Sequence, residues 1–509
     1  MRELNVVIVG AGFGGIAAAI ELRRHGFGEV TILERGDRLG GTWRDNTYPG
    51  CACDVPSHLY SFSYAQRRDW SRLCSPQNEI LSYLQAVAED HGVDRLVVPG
   101  AEVVACTWMD GPRRWSVRCA DGRRWEADAV ILATGQLHEP AIPRLAGSEQ
   151  FAGHSFHSAR WDHRYELRGK RVAVIGTGAS AVQFVPEIAP RVDRLSVFQR
   201  TGNWFLPRRN RPYPRWLKRI IRMVPGLQAL RRRWIYNYTE SLTVAIRNPG
   251  SWGRLARAWA TAFMRLQLRD PQLRRKAWPD YTFGCKRILF SSYFLPALRR
   301  RNVELVTEPI ERLTRDGIVT ADGVQRPIDC LIYATGFRST EFMFPMRVTG
   351  AGNRDLREVW AGGPHAHLGI AVPGFPSLFI VYGPNTNTSG GSIITYEEAQ
   401  AAYIRQALEQ IRDRMVAAID VLPEVEAATD REVQSRFEGT AWTRCDSWYR
   451  VDGGRIVTNW PGYMREYEAR LRLLDPTEYK FVPLPEANGA RPVEAVAGGG
   501  GLPAGGASG

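Results

Sequence analysis

Two glycine clusters could each hold a pyrophosphate. In Gly10-x-Gly12-x-x-Gly15 and Gly176-x-Gly178-x-x-Ala181, small residues let an anion approach backbone N–H groups at a helix N-terminus. The two differ at the end of the strand that follows. Glu34 can accept hydrogen bonds from a ribose 2′-hydroxyl, whereas Gln199-Arg200-Thr201 offers no carboxylate. An arginine and a hydroxyl suit a dianionic 2′-phosphate, so the second cluster is expected to take NADPH in preference to NADH. The plainer readings are an ordinary turn and, for Arg200, a solvated charge; a strand before each turn and a helix after it favour dinucleotide binding.

Such residues need two strand–turn–helix–strand units to position them. Residues 4–10 (LNVVIVG) read as a short apolar strand, followed by an alanine-rich helix from about Gly14 to Arg24 and a strand ending at Glu34. The pattern returns at 171–176 (RVAVIG), with a helix from Ser180 to about Ile188 and a strand ending at Gln199. Strands 129–135 and 330–337 each leave through Ala-Thr-Gly and are expected to close the two units. The fold class is therefore α/β, with two Rossmann-like dinucleotide-binding domains and a helical insertion at 205–280, where tryptophans alternate with arginines and Pro and Gly breaks fall near 225 and 249.

Further along the first unit, Gly40-Gly41-Thr42-Trp43 leads to Tyr48-Pro49-Gly50 and Asp54, and Phe151, Gly153, His157, Trp161 and Asp162 precede the second unit at the spacing F-x-G-x-x-x-H-x-x-x-W-D. Here the chain resembles the type I Baeyer–Villiger monooxygenases, over about residues 5 to 470. The resemblance implies FAD on the first unit, held by Gly10, Gly12, Gly15, Glu34, Gly41, Thr42 and Trp43, with Asn385 and Thr386 on a loop that reaches the flavin. It implies NADPH on Gly176, Gly178, Ala181, Arg200 and Thr201, with Lys286 of Gly284-Cys285-Lys286-Arg287 on the phosphate and Trp448 on a loop over the nicotinamide. It implies that a C4a-peroxyflavin inserts one oxygen of O2 beside the carbonyl of a small hydrophobic ketone, giving an ester or lactone. By the same resemblance Arg287 is expected to stabilise the anion, Asp54 to hold Arg287, and His157 and Trp161 to couple domain positions without acid–base work. The implied layout is 1–150 and 336–486 for FAD, 151–165 as linker, 166–335 for NADPH, and a disordered tail at 487–509. An alternative is an N- or S-oxygenating flavin monooxygenase, although Trp161-Asp162 favours the ketone reading.

The net charge of +14 suggests nucleic acid or a membrane until it is located. Between Phe205 and Asp280, 18 Lys and Arg face only Glu240, Asp270 and Asp280, and the remainder of the chain is almost neutral. A nucleic-acid protein would leave both glycine turns unexplained. The insertion reads instead as a cap over the substrate with a solvated outer face, in preference to membrane docking, though weak surface association stays open. Eight cysteines form no CxxC pair and no metal-ligand pattern, so neither a disulfide framework nor a metal site is expected and most of the thiols read as reduced packing residues. Cys51-Ala52-Cys53 is one residue too close for a disulfide reductase. Without a leader pattern or a spanning apolar run, the expected location is the cytoplasm.

Overall fold

The computed structural model describes residues 2–208, 210–388, 390–451 and 453–486. The expected tail from 487 therefore lies outside the described residues. Two five-stranded parallel sheets dominate. The first runs in the order Leu378–Ile380, Ala129–Leu132, Val6–Val9, Val30–Leu33, Val97–Val98. Its central strand, VVIV, is buried along its whole length, which suits β-branched residues covered on both faces. The alanine-rich helix Phe13–Arg24 packs one face of this sheet and lies against helix Ile393–Asp413, where small side chains permit a close approach.

The second sheet runs Val303–Val306, Arg194–Phe198, Arg171–Ile175, Cys330–Tyr333, His154–His157. The Ala-Thr-Gly strands thus pair directly with the opening strand of each unit. Because Leu378–Ile380 returns to the edge of the first sheet, the later chain rejoins the first unit. His154–His157 sits at the edge of the second sheet, so the segment read as linker is built into that sheet.

The insertion opens with a short strand, Phe205–Leu206, paired with Leu289–Phe290, and becomes helical at Arg215–Met223, Leu227–Arg247, Trp252–Gln267 and Pro271–Ala277. The breaks coincide with Pro225-Gly226 and Pro249-Gly250. Proline also precedes or opens the first and last helices, where no N–H is needed.

Candidate functional site

The carboxyl ends of both sheets open on one cavity of about 1570 Å³, the usual place for a ligand in a parallel sheet. The two glycine turns face it in the same manner. Gly10 and Gly176 have φ of +106° and +105°, and a Cβ on either would stand 2.5 Å from Ala133 O or 2.4 Å from Ala334 O. Each turn is thus pressed against the Ala-Thr-Gly exit of its neighbouring strand, a contact that only glycine allows. Gly12, Gly41, Thr42 and Trp43 line the first half of the cavity, and Gly178, Arg200 and Thr201 the second. Gly15 and Ala181 are buried beneath the turns, where they let helix and strand pack closely. Glu34 is buried and lines the cavity; its carboxylate accepts from the N–H groups of Ala11 and Gly36 and pairs with Arg44.

Arg200 and Lys286 face the same space. Burial first, and then the charge of Arg200, lower the Lys286 pKa, and the ammonium lies 4.9 Å from the Tyr281 ring centroid. Neither side chain is ion-paired to an acid among the described residues. Asp280 and Asp446 act on Lys286 only from a distance, so two converging cations without a contacting acid are costly, and a phosphate would relieve that cost.

Arg287 and Asp54 come from segments 233 residues apart and form an ion pair of 2.5 Å. The Arg287 side chain is 43% accessible, but what it meets is the cavity and not the outer surface. Asp54 strengthens its hold on the proton, and burial only partly opposes this, so the guanidinium stays charged. Burial pushes the Asp54 carboxyl up, yet Arg287 and Arg208 together hold it below the usual range. The site therefore keeps a fixed cation.

His157 is buried, accepts from Ala159 N–H through Nδ1, and packs edge-on to Phe337. Burial lowers its pKa to about 4, so it is neutral near pH 7. Trp161 meets Phe184 at 5.2 Å, and Phe184 meets Tyr48 at 6.0 Å. Beside this aromatic row, Gln183 accepts from Tyr48 Oη and Ala52 N–H and donates to Ala52 O. The helix of the second unit is thereby clamped to the Tyr48–Asp54 segment of the first.

Some expectations shift. Asn385 and Thr386 lie behind the cavity wall, where Asn385 donates to Ile456 O and Asn459 O and Thr386 to Gly383 O. Asn387 and Thr388 of the same loop line the cavity instead. Trp448 lines the cavity and is 40% exposed. Tyr382 and Tyr449, neighbours in sequence of the residues expected at the site, also line it, as do Arg208 and Glu397, which motif reading missed. Arg208 and Glu397 lie outside any short motif, although two adjacent acids, Glu397-Glu398, near the start of a helix are a signal that sequence could have offered.

The cysteines require a correction. Cys285 and Cys445 form a disulfide across 160 residues. Local spacing could not reveal it, because the bridge joins two segments that meet only in the fold. It ties the turn bearing Lys286 and Arg287, just before the strand Leu289–Phe290, to the loop bearing Trp448 and Tyr449. Substitution Cys445→Ser is expected to cost about 2–4 kcal/mol, seen as a lower melting temperature, and a Cys285–Cys445 linked peptide should appear in non-reducing peptide mapping. Absence of that peptide would dismiss the bridge. The six other cysteines are unpaired and buried. Burial raises the thiols of Cys51, to about 12, and Cys53, which leaves both inert as redox partners.

Residues 7–224 match the family described as pyridine nucleotide-disulphide oxidoreductase. The chain is 41% identical to a Baeyer-Villiger monooxygenase of Streptomyces coelicolor, covering 98% of this chain and 96% of that one. It is 39% identical to a Baeyer-Villiger monooxygenase of Pseudomonas aeruginosa, covering 96% and 93%. Among solved structures, an oxidized steroid monooxygenase bound to NADP superposes with a TM-score of 0.84 at 28% identity over 95% of this chain and all (100%) of that one. A cyclohexanone monooxygenase from Rhodococcus sp. Phi1 bound to NADP+ gives 0.84 at 27% identity, over 95% and 99%.

Proposed function

The chain belongs to the Baeyer–Villiger monooxygenases, and from that premise we propose that Asp54 and Arg287 form the centre at which oxygen enters beside a ketone carbonyl. It is a flavin-dependent enzyme that uses FAD, NADPH and O2. The single observation that carries the assignment of this centre is the Arg287–Asp54 ion pair, set in the one cavity that both glycine turns face.

The residues present fit both cofactors. Gly10, Gly12, Glu34, Gly41, Thr42 and Trp43 would hold FAD on the first sheet, with Asn387 and Thr388 on the later loop. Gly176, Gly178, Arg200, Thr201 and Lys286 would hold NADPH, Trp448 lying over the same space. Bound FAD, once reduced by NADPH, supplies the activation of O2. Arg287 contributes a permanent positive charge and several N–H donors to the negative charge that develops on the carbonyl oxygen during attack. Asp54 orients that guanidinium, and Arg208, which donates to Cys53 O at 2.8 Å, steadies the carboxylate's segment. His157 and Trp161, with Gln183, hold the two units in register and take no part in proton transfer.

Leu242 and Ile246 of the insertion helix Leu227–Arg247, together with Trp442, give the cavity an apolar wall. This supports a small hydrophobic ketone as substrate and a capping role for the insertion. The test is NADPH consumption and product analysis across aryl, cyclic and long-chain ketones, with amines and thioethers beside them. One ester or lactone per NADPH is expected; coupled turnover confined to heteroatom substrates would reject the assignment.

Glu397 adds a pH signature. Burial, with a smaller push from Glu398, raises its carboxyl to about 8, and its Oε2 is buried without a protein partner among the described residues. Near neutrality it is a neutral acid able to donate a hydrogen bond into the cavity. Since the native pKa exceeds the unfolded value of roughly 4.5, the unfolded state loses its proton first and stability falls as pH rises from there to about 8. Glu397→Gln should remove this slope, so that the variant gains melting temperature over wild type as pH rises from 5 to about 8. Parallel curves would show that Glu397 does not hold its proton.

A further inference from the structure

The insertion presents an outer surface beyond the cavity. Trp216, Trp234, Trp252 and Trp259 are 63%, 64%, 59% and 50% exposed, and Ile220, Met223, Leu230, Leu255 and Leu266 are exposed with them; Tyr238 is exposed as well, although it also lines the cavity. These residues fall in stripes: 216, 220 and 223 on Arg215–Met223; 230, 234 and 238 on Leu227–Arg247; and 252, 255, 259 and 266 on Trp252–Gln267. That spacing places each set on one helix face. Single exposed apolar residues are ordinary, but three successive helices each turning such a stripe outward mark an interaction surface.

Charge selects the occupant. Exposed Arg215, Arg219, Arg222, Arg233, Arg254, Arg257 and Arg265 lie on the same helices. From 215 to 267 the only acid is Glu240, which is buried and accepts from Met464 N–H. A second copy would bring like charges together across the contact, whereas anionic headgroups would neutralise them while tryptophans sat at the level of the headgroups. No helix among the described residues is long and apolar enough to cross a membrane, so the contact would be with one leaflet. We propose that the outer face of Arg215–Gln267 docks on an anionic phospholipid surface. This reverses the preference for a purely solvated outer face that composition alone suggested. The inner side of Leu227–Arg247 still caps the cavity, so one helix serves both surfaces.

The holoenzyme should sediment with vesicles of phosphatidylglycerol and phosphatidylcholine, much less with phosphatidylcholine alone, and less as salt rises. Tryptophan emission should shift to the blue and be quenched by brominated acyl chains. Arg219→Gln and Arg233→Gln should each weaken partition about fivefold, and Trp234→Ser with Trp259→Ser should markedly reduce quenching, Trp216 and Trp252 remaining on the face, while ketone-dependent NADPH oxidation in vesicle-free buffer stays unchanged. Equal binding to both vesicle types, or none to either, overturns the proposal. So does a dimer in light scattering that Trp259→Ser dissolves, since the face would then belong to a second copy.

Discussion

Arg287→Ala should reduce ester formation by about a thousandfold while leaving NADPH reduction of the flavin close to the wild-type rate. The separation follows from position. In the proposed assignment Arg287 bears on the step in which negative charge grows on the carbonyl oxygen, whereas hydride transfer depends on how the two nucleotides lie in their turns. Stopped-flow flavin reduction and product analysis measure the two separately. Asp54→Ala should lower ester formation less than Arg287→Ala, and the double variant should be little worse than Arg287→Ala, because the carboxylate acts through the guanidinium. Undiminished ester formation by Arg287→Ala would move the centre elsewhere in the cavity.

Removing the phosphate cations should change the choice of coenzyme. Each charge-assisted hydrogen bond to a 2′-phosphate is worth about 1.5–3 kcal/mol, so Arg200→Ala or Lys286→Ala should raise the NADPH KM about ten- to a hundredfold. The NADH KM should barely move, because NADH has no phosphate at that position. The two effects should add incompletely: burial, and then the charge of Arg200, lower the Lys286 pKa, so removing one cation relieves part of the other's cost. Equal rises for both coenzymes would take the phosphate role from these residues.

The parts of this molecule that were legible in sequence are those made from contiguous chain. Val6–Val9 and Arg171–Ile175 could be found because short, wholly apolar runs next to glycine turns have few other meanings. Arg287 and Asp54 came from family motifs, and the structure brings them together from segments 233 residues apart. The Cys285–Cys445 bridge stayed hidden because pairing over 160 residues leaves no local spacing. Glu397 stayed hidden because its protonation depends on burial that a helix sequence does not encode. For Asn385 and Thr386 the structure puts the next pair of the same loop, Asn387 and Thr388, on the cavity wall, past a turn at Asn385 where φ is +56°, which motif reading does not convey.

The clamp made by Gln183 bears on how this enzyme could be recombined with its relatives. A Cβ on Gly50, whose φ is +77°, would stand 2.8 Å from Gln183 O, so backbone as well as side chain meets backbone where the two units touch. A chimera cut between the nucleotide domains would separate two surfaces fitted to each other at atomic distance, even with every cofactor contact preserved. Crossovers that carry residues 48–54 and helix Ala179–Ile188 together should yield folded, active hybrids more often than crossovers that divide them.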